Sequence, residues 1–204
     1  ATPESILQEN FSTNHRTITP KELGKLLADP LNGGVDSIVI LDARFDYEFR
    51  GGRIIGAINF NTRSRLVHIY NRYKGQNVCI VIHCEFSQNR GPLLYQMFRE
   101  YDRHNNIYPH LSYPNVFLLE GGYRRFYQEM PQFCKGGYTP MRDEKYVNSG
   151  DLRRSHSFFK KEILQQNKTV RPKPPIQRCS SQVCGAFSLL FDSALSHDSR
   201  DDES

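Results

Sequence analysis

The 204-residue sequence has no tryptophan and only three methionines. Nor does any stretch approach the roughly 18 consecutive apolar residues that a membrane-spanning helix requires. Its first residues show no basic stretch leading into an apolar one, so they do not read as a secretory leader. The five cysteines, Cys79, Cys84, Cys134, Cys179 and Cys184, are odd in number, scattered, and without a C-x-x-C pair. A zinc site or a disulfide framework is therefore not expected, and a soluble protein in a reducing, intracellular compartment is. Because it opens on Ala1 and not on Met, the sequence reads as a piece of a longer protein, with an N-terminal regulatory region expected outside it.

What is present bounds the fold and the partners. With 38% hydrophobic and 24% charged residues, the chain is long enough for one globular domain with a sizeable core plus less ordered peptide. A net charge of +5 and a pI near 9.0 suit an acidic partner, whether nucleic acid, membrane surface or phosphorylated protein. Charge alone does not choose among them.

Helical and strand patterns alternate along the chain. Thr19-Pro20-Lys21-Glu22 has the form of a capping box with Pro at the first helical position, followed by Leu23, Leu26 and Leu27, which predicts a helix to about Ala28. Ser37 to Leu41 and Val78 to Ile82 are continuous apolar runs of the kind found in strands buried on both faces, and Val116 to Leu119 is a third. Between them Leu66, Ile69, Tyr70 and Tyr73, and then Leu93, Leu94, Met97, Phe98 and Tyr101, fall at helical spacing. A short helix with Tyr123, Phe126 and Tyr127 follows Gly121-Gly122. This order predicts an α/β fold, a parallel sheet with helices on both faces. Beyond about Pro140 the periodicity fades. Arg142 to Gln182 holds ten Lys or Arg against four Asp or Glu and includes a Pro-rich stretch, so 147–204 reads as a low-complexity, flexible tail, with only Phe158, Phe159, Ile163 and Leu164 hinting at a short helix.

The segment His83-Cys84-Glu85-Phe86-Ser87-Gln88-Asn89-Arg90-Gly91-Pro92 stands where a buried strand gives way to a helix, the place where open α/β sheets bind their ligands. A seven-residue loop from Cys84 to Arg90 can wrap backbone N–H groups of residues 85 to 90 around a dianion, with the helix N-terminus behind it. The Arg90 guanidinium can pair with two phosphoryl oxygens at once, which lysine cannot imitate. The same donors favour thiolate over thiol at Cys84, so a phosphocysteine intermediate hydrolysed by water needs neither a metal nor a cofactor. The plain alternative is a buried thiol at a strand end and a solvated arginine in a turn, but it gives no reason for the two to bracket a tight loop. For Cys79, within the apolar strand, packing is the expected role.

These residues closely resemble the M-phase inducer phosphatases, dual-specificity enzymes of the cell-division cycle. The likeness runs from the loop HCEFSQNRGP to Leu41-Asp42-Ala43-Arg44-Phe45-Asp46-Tyr47-Glu48-Phe49, Gly51-Gly52-Arg53-Ile54-Ile55-Gly56-Ala57, Phe98-Arg99-Glu100 and Leu119-Glu120-Gly121-Gly122-Tyr123, about residues 15 to 146. It implies a rhodanese-like parallel sheet of about five strands, of which periodicity alone finds three. It divides the chain into an extension over 1–14, a catalytic domain over 15–146 and the tail over 147–204. The implied activity is removal of phosphate from adjacent threonine and tyrosine of cyclin-dependent kinases, promoting mitosis. The implied partner is a phosphorylated kinase–cyclin complex, with no nucleic acid or membrane, for a monomer in nucleus and cytoplasm. Arg99, Arg103 and Tyr108 stand at the family's kinase-docking places; a solvated helix face is the alternative reading.

Three departures follow. Ala43 replaces a cysteine that can form a protective disulfide with the nucleophile, Arg53 stands where histidine is usual, and Asn89 replaces a glutamate before the arginine. Glu85 is then the loop's one carboxylate. It either assists proton transfer to the leaving group or is structural, with the proton coming from substrate or water. Asp42, Arg44 and Glu48 read as ion-paired support. In the tail, Arg154-Ser155-His156-Ser157 and Arg178-Cys179-Ser180-Ser181 each place an arginine three residues before a serine, as basophilic kinases accept. Two rival functions remain: a rhodanese-like sulfurtransferase, whose loop is typically one residue shorter, and a phosphoprotein-binding module without turnover.

Overall fold

The computed structural model describes residues 10–12 and 15–164. Strand β1 (Asn10–Ser12) runs antiparallel to β2 (His15–Ile18) at one sheet edge. Helix α1 (Pro20–Ala28) begins with the predicted capping box: Glu22 N–H donates to the Thr19 hydroxyl at 3.3 Å, and Thr19 N–H to the Glu22 carboxylate at 2.7 Å. Then come β3 (Ser37–Asp42), α2 (Asp46–Gly51), β4 (Gly52–Ile54), β5 (Ile58–Asn59), α3 (Arg63–Tyr73), β6 (Val78–His83), α4 (Arg90–His104), β7 (Val116–Leu119), α5 (Gly122–Glu129), β8 (Cys134–Gly136), α6 (Glu144–Asn148) and α7 (Asp151–Leu164).

The main sheet has the order β1-β2-β7-β6-β3-β5, with the five strands from β2 to β5 parallel, while β4 and β8 form a separate antiparallel pair. The three apolar runs are its centre, and the two further parallel strands are β2 and the two-residue β5. Every residue of β6 is buried. Cys79 and Val81 join Ile40, Phe117 and Leu119 in a core with Leu23 and Leu26 of α1 and Tyr123 and Phe126 of α5. By strand alternation the equally buried Ile80 and Ile82 face the opposite layer. Tyr70 of α3, Phe98 of α4 and Tyr113 pack there with ring centroids 5.0 to 6.1 Å apart. Burying each such side chain contributes about 1.5 to 3 kcal/mol, so both faces of β6 hold its C-terminal end in place.

The parallel register sets Asp42 beside His83 at the carboxyl ends of β3 and β6. Within the stretch assigned by composition to the tail, residues 151–164 form α7, with Phe159 and Ile163 buried and Phe159 6.2 Å from the Phe45 ring. The short apolar pattern around Phe159 is thus a packed helix. Cys179, Cys184 and the Arg178–Ser181 pattern lie outside the described residues.

Candidate active site

Cys84 follows β6 directly, 3% exposed, and Arg90 opens α4. The loop between them is held from behind by its carbonyls. Tyr123 N–H donates to Cys84 C=O at 2.9 Å and Arg124 N–H to Glu85 C=O at 3.0 Å, so the first turn of α5 is a cradle for the loop. This explains Gly122: its φ is +60°, and a Cβ there would come within 2.5 Å of the Glu85 carbonyl oxygen. The N–H groups of residues 85 to 89 donate to no backbone carbonyl among the described residues. Ser87 has φ +56°, and its hydroxyl oxygen is buried without a hydrogen-bond partner among the described residues. Phe86 is 39% exposed, and Gln88 and Asn89 are exposed.

Arg90 is fixed by Glu48. Its two terminal nitrogens each donate to one oxygen of the fully buried Glu48 carboxylate, the second at 3.1 Å, and the guanidinium lies over the Phe45 ring at 4.5 Å. Glu48 also accepts from Phe45 N–H at 2.8 Å, so one carboxylate fixes the start of α2 and the head of Arg90. Burial disfavours the Arg90 cation, but Glu48, Cys84 and Glu85 outweigh it, and its pKa is raised.

Behind this pair lies a second. Asp42 and Arg44 are fully buried, 2.7 Å apart, as the sequence led one to expect of ion-paired support. Arg44 also donates to Gly52 C=O at 2.6 Å and rests over the Tyr123 ring at 3.9 Å. The His83 ring, fully buried, sits 3.2 Å by Nδ1 from Cys84 C=O, and burial holds its pKa below the ordinary value despite Asp42. Cys79 is inert by placement: burial pushes its thiol up to about 12. Ala43 is buried, with its N–H donating to His83 C=O at 2.7 Å.

Glu85 is nearly buried and held by residues well beyond the loop. Its carboxylate accepts from the Tyr138 hydroxyl and from Met141 N–H at 3.2 Å, and lies 3.9 Å from Arg90. Of the three residues expected to dock a kinase, Arg103, near the end of α4, is exposed, and Tyr108 is 92% exposed on the following loop with the 85% exposed Ile107. Arg99 differs. Its guanidinium is 12% exposed and donates to Tyr113 C=O at 2.7 Å, so it anchors the loop instead of presenting a free charge. The buried Asp102 completes that anchor, accepting from Ser112 N–H at 3.0 Å, Tyr113 N–H at 3.2 Å and Asn106 at 2.9 Å. Sequence reasoning passed over Tyr138, Met141 and Asp102, because none lies in a strand, a glycine turn or the loop motif.

A buried parallel sheet with the Cys84–Arg90 loop at the carboxyl ends of its strands defines the class. A model of the rhodanese-like domain family matches residues 19–129, and the chain belongs to that family. Within it the chain is similar to the M-phase inducer phosphatases. M-phase inducer phosphatase 3 of Bos taurus is 35% identical over 136 residues, covering 63% of this chain and 28% of that protein. M-phase inducer phosphatase 2 of Homo sapiens is 38% identical, covering 63% and 23%. The M-phase inducer phosphatase of Schizosaccharomyces pombe is 33% identical over 170 residues, covering 79% and 28%. The chain thus spans about a quarter of the length of these relatives. Among solved structures, an As–Sb reductase from Leishmania major is 24% identical, with a TM-score of 0.49 over 67% of this chain and 98% of that one.

Proposed function

We propose that the chain is the catalytic domain of a dual-specificity protein phosphatase that dephosphorylates threonine and tyrosine of a phosphorylated cyclin-dependent kinase–cyclin complex, promoting mitotic progression. One observation carries this reading: Cys84 and Arg90 bracket a loop whose N–H groups at residues 85 to 89 donate to no backbone carbonyl among the described residues, while the carbonyls of Cys84 and Glu85 accept from α5. That polarity suits a dianion. Cys84 Sγ, as thiolate, attacks phosphorus. The S–P bond forms while the P–O bond breaks, its electron pair leaving with the departing oxygen, which takes up a proton. Water then attacks phosphorus, the S–P bond breaks, and inorganic phosphate departs from the restored thiolate. Arg90 and the amides offset charge on the three equatorial oxygens throughout.

Both Glu85 oxygens are engaged by Tyr138 and Met141, which supports a leaving-group proton drawn from substrate or water. The relatives' name supports the cell-cycle substrate; action in nucleus and cytoplasm, as a monomer, is part of the same proposal. Arg103 and Tyr108, both exposed, are the docking contacts in this reading, with Arg99 holding the loop that carries Tyr108.

The test is turnover of a doubly phosphorylated kinase–cyclin complex against a generic phosphopeptide and against thiosulfate with cyanide. A strong preference for the complex, lost in Cys84→Ser with binding retained, is the expected result. Turnover of thiosulfate alone would make the protein a sulfurtransferase, and wild-type binding without hydrolysis would make it a binding module.

A further inference from the structure

The family match ends at residue 129, yet the loop's carboxylate is held from beyond it. The Tyr138 hydroxyl donates to Glu85 Oε1, and Met141 N–H donates to Oε2 at 3.2 Å. The carbonyl of the same Met141 accepts from the Tyr47 hydroxyl. Tyr47 immediately precedes Glu48, which grips Arg90, and stacks on Tyr146 with centroids 4.3 Å apart. One residue, Met141, therefore ties together both carboxylates that flank the Arg90 guanidinium, Glu48 in direct contact and Glu85 3.9 Å away. The Tyr138 ring is itself seated, stacked against Tyr123 and Tyr127 at 6.3 Å.

We propose that Tyr138, with the backbone of Met141, is a positioning residue for the phosphate loop, holding the Glu85 carboxylate at 3.9 Å from Arg90, beyond hydrogen-bond distance, so that it does not take the donors meant for the bound oxyanion. The physical need is plain. A loop built to take a dianion carries a carboxylate directly after its nucleophile, and an ionised group deprived of its donors moves toward the nearest opposite charge. Here that charge is Arg90. An Arg90 engaged by Glu85 loses donors for the phosphoryl oxygens, and the carboxylate itself repels the dianion. Residues 138–141, outside the family match, thus belong to the active site.

This inference rests on the phosphatase reading, and the experiment separates the two. Competitive inhibition by orthovanadate and hydrolysis of an aryl phosphate are measured for wild type, Tyr138→Phe, Glu85→Gln and the double variant. Tyr138→Phe is expected to weaken vanadate about tenfold and to lower kcat/KM in parallel. In the Glu85→Gln background, where no carboxylate remains to be restrained, the same change is expected to shift vanadate affinity less than about twofold. Tyr47→Phe, which releases the Met141 carbonyl, is expected to act in the same direction and provides the same cycle should Tyr138→Phe fold poorly. Equal losses in both backgrounds, or no loss in either tyrosine variant, would overturn the positioning role. A wild type that neither binds vanadate nor hydrolyses the ester would remove the phosphatase reading together with it.

Discussion

Two carboxylate–guanidinium pairs serve this site, and they differ in one respect that separates support from function. In the Asp42–Arg44 pair neither side chain is exposed, whereas in the Glu48–Arg90 pair the carboxylate is sealed and the guanidinium is 12% exposed. Each guanidinium rests over an aromatic ring, Tyr123 in the first pair and Phe45 in the second. The inner pair is local in sequence: Arg44 folds back on Asp42 two residues earlier and donates onward to Gly52. The outer pair is formed across 42 positions, with Glu48 reaching the residue that opens α4. An ion pair buried on all sides fixes backbone, and although Arg44 Nη1 has no hydrogen-bond partner among the described residues, no ligand from solvent can reach it. One open on a single side keeps donors in fixed directions for a ligand to use.

The sharpest way to break that comparison is to damage each pair and ask which property falls. Arg90→Lys keeps the charge but loses the fork, and is expected to lower kcat/KM on an aryl phosphate by on the order of 10²- to 10³-fold, with melting nearly unchanged. Asp42→Ala leaves Arg44 buried without its counter-ion and is expected to cost on the order of 3–5 kcal/mol of stability, read by urea unfolding. An Asp42→Ala variant as stable as wild type would erase the distinction between the two pairs.

A smaller effect separates the pairs by pH. Burial opposes ionisation of Asp42, but the Arg44 charge and hydrogen bonds outweigh it and hold the carboxyl below 3.8 in the folded state. Its contribution is therefore complete above about pH 4 and lost only on acidification through the lower folded value. His83 works in a different window. Burial holds its folded pKa below 6.5, so the unfolded chain takes up the proton first and stability falls as pH drops below 6.5. The slope is at most about 1.4 kcal/mol per pH unit. His83→Asn is expected to flatten the wild-type dependence between pH 6.5 and 5, measured by denaturant unfolding, and an unchanged slope would refute a buried neutral histidine behind Cys84.

How much of this was legible depended on distance along the chain. The capping box at Thr19, the three apolar strands and the Cys84–Arg90 loop are local patterns, and each stands where it was read. β5 has two residues and β2 has four at the sheet's flank, too short for any period to register. The site's outer supports were hidden for a different reason. Tyr138 and Met141 meet Glu85 across 53 and 56 positions, a pairing no spacing rule reaches. Asp102 is a charged residue outside the apolar positions of α4, yet it is buried under the loop it organises. For Arg99 the resemblance offers docking and the helix pattern a solvated face, and neither reveals its acceptor, the Tyr113 carbonyl, which only tertiary structure supplies.

The last prediction extends the contrast between closed and open cations to the far end of α4, where Arg99 is closed and Arg103 open. At a rise of about 1.5 Å per residue, Arg99 and Arg103 lie roughly 14 and 20 Å along α4 from Arg90 and cannot touch the reacting phosphoryl group. Arg103→Ala removes an exposed charge and is expected to raise KM for an intact kinase–cyclin complex several-fold, leaving an aryl phosphate unaffected and melting unchanged. Arg99→Ala should weaken the complex by a comparable factor through a different cause, release of the Tyr113 carbonyl and of the loop carrying Tyr108, and it should also lower the melting temperature. If both variants instead slow the aryl phosphate equally, the damage has travelled along α4 to Arg90. The helix would then be one mechanical unit, and the open and closed arginines at its end would not be distinguished by function.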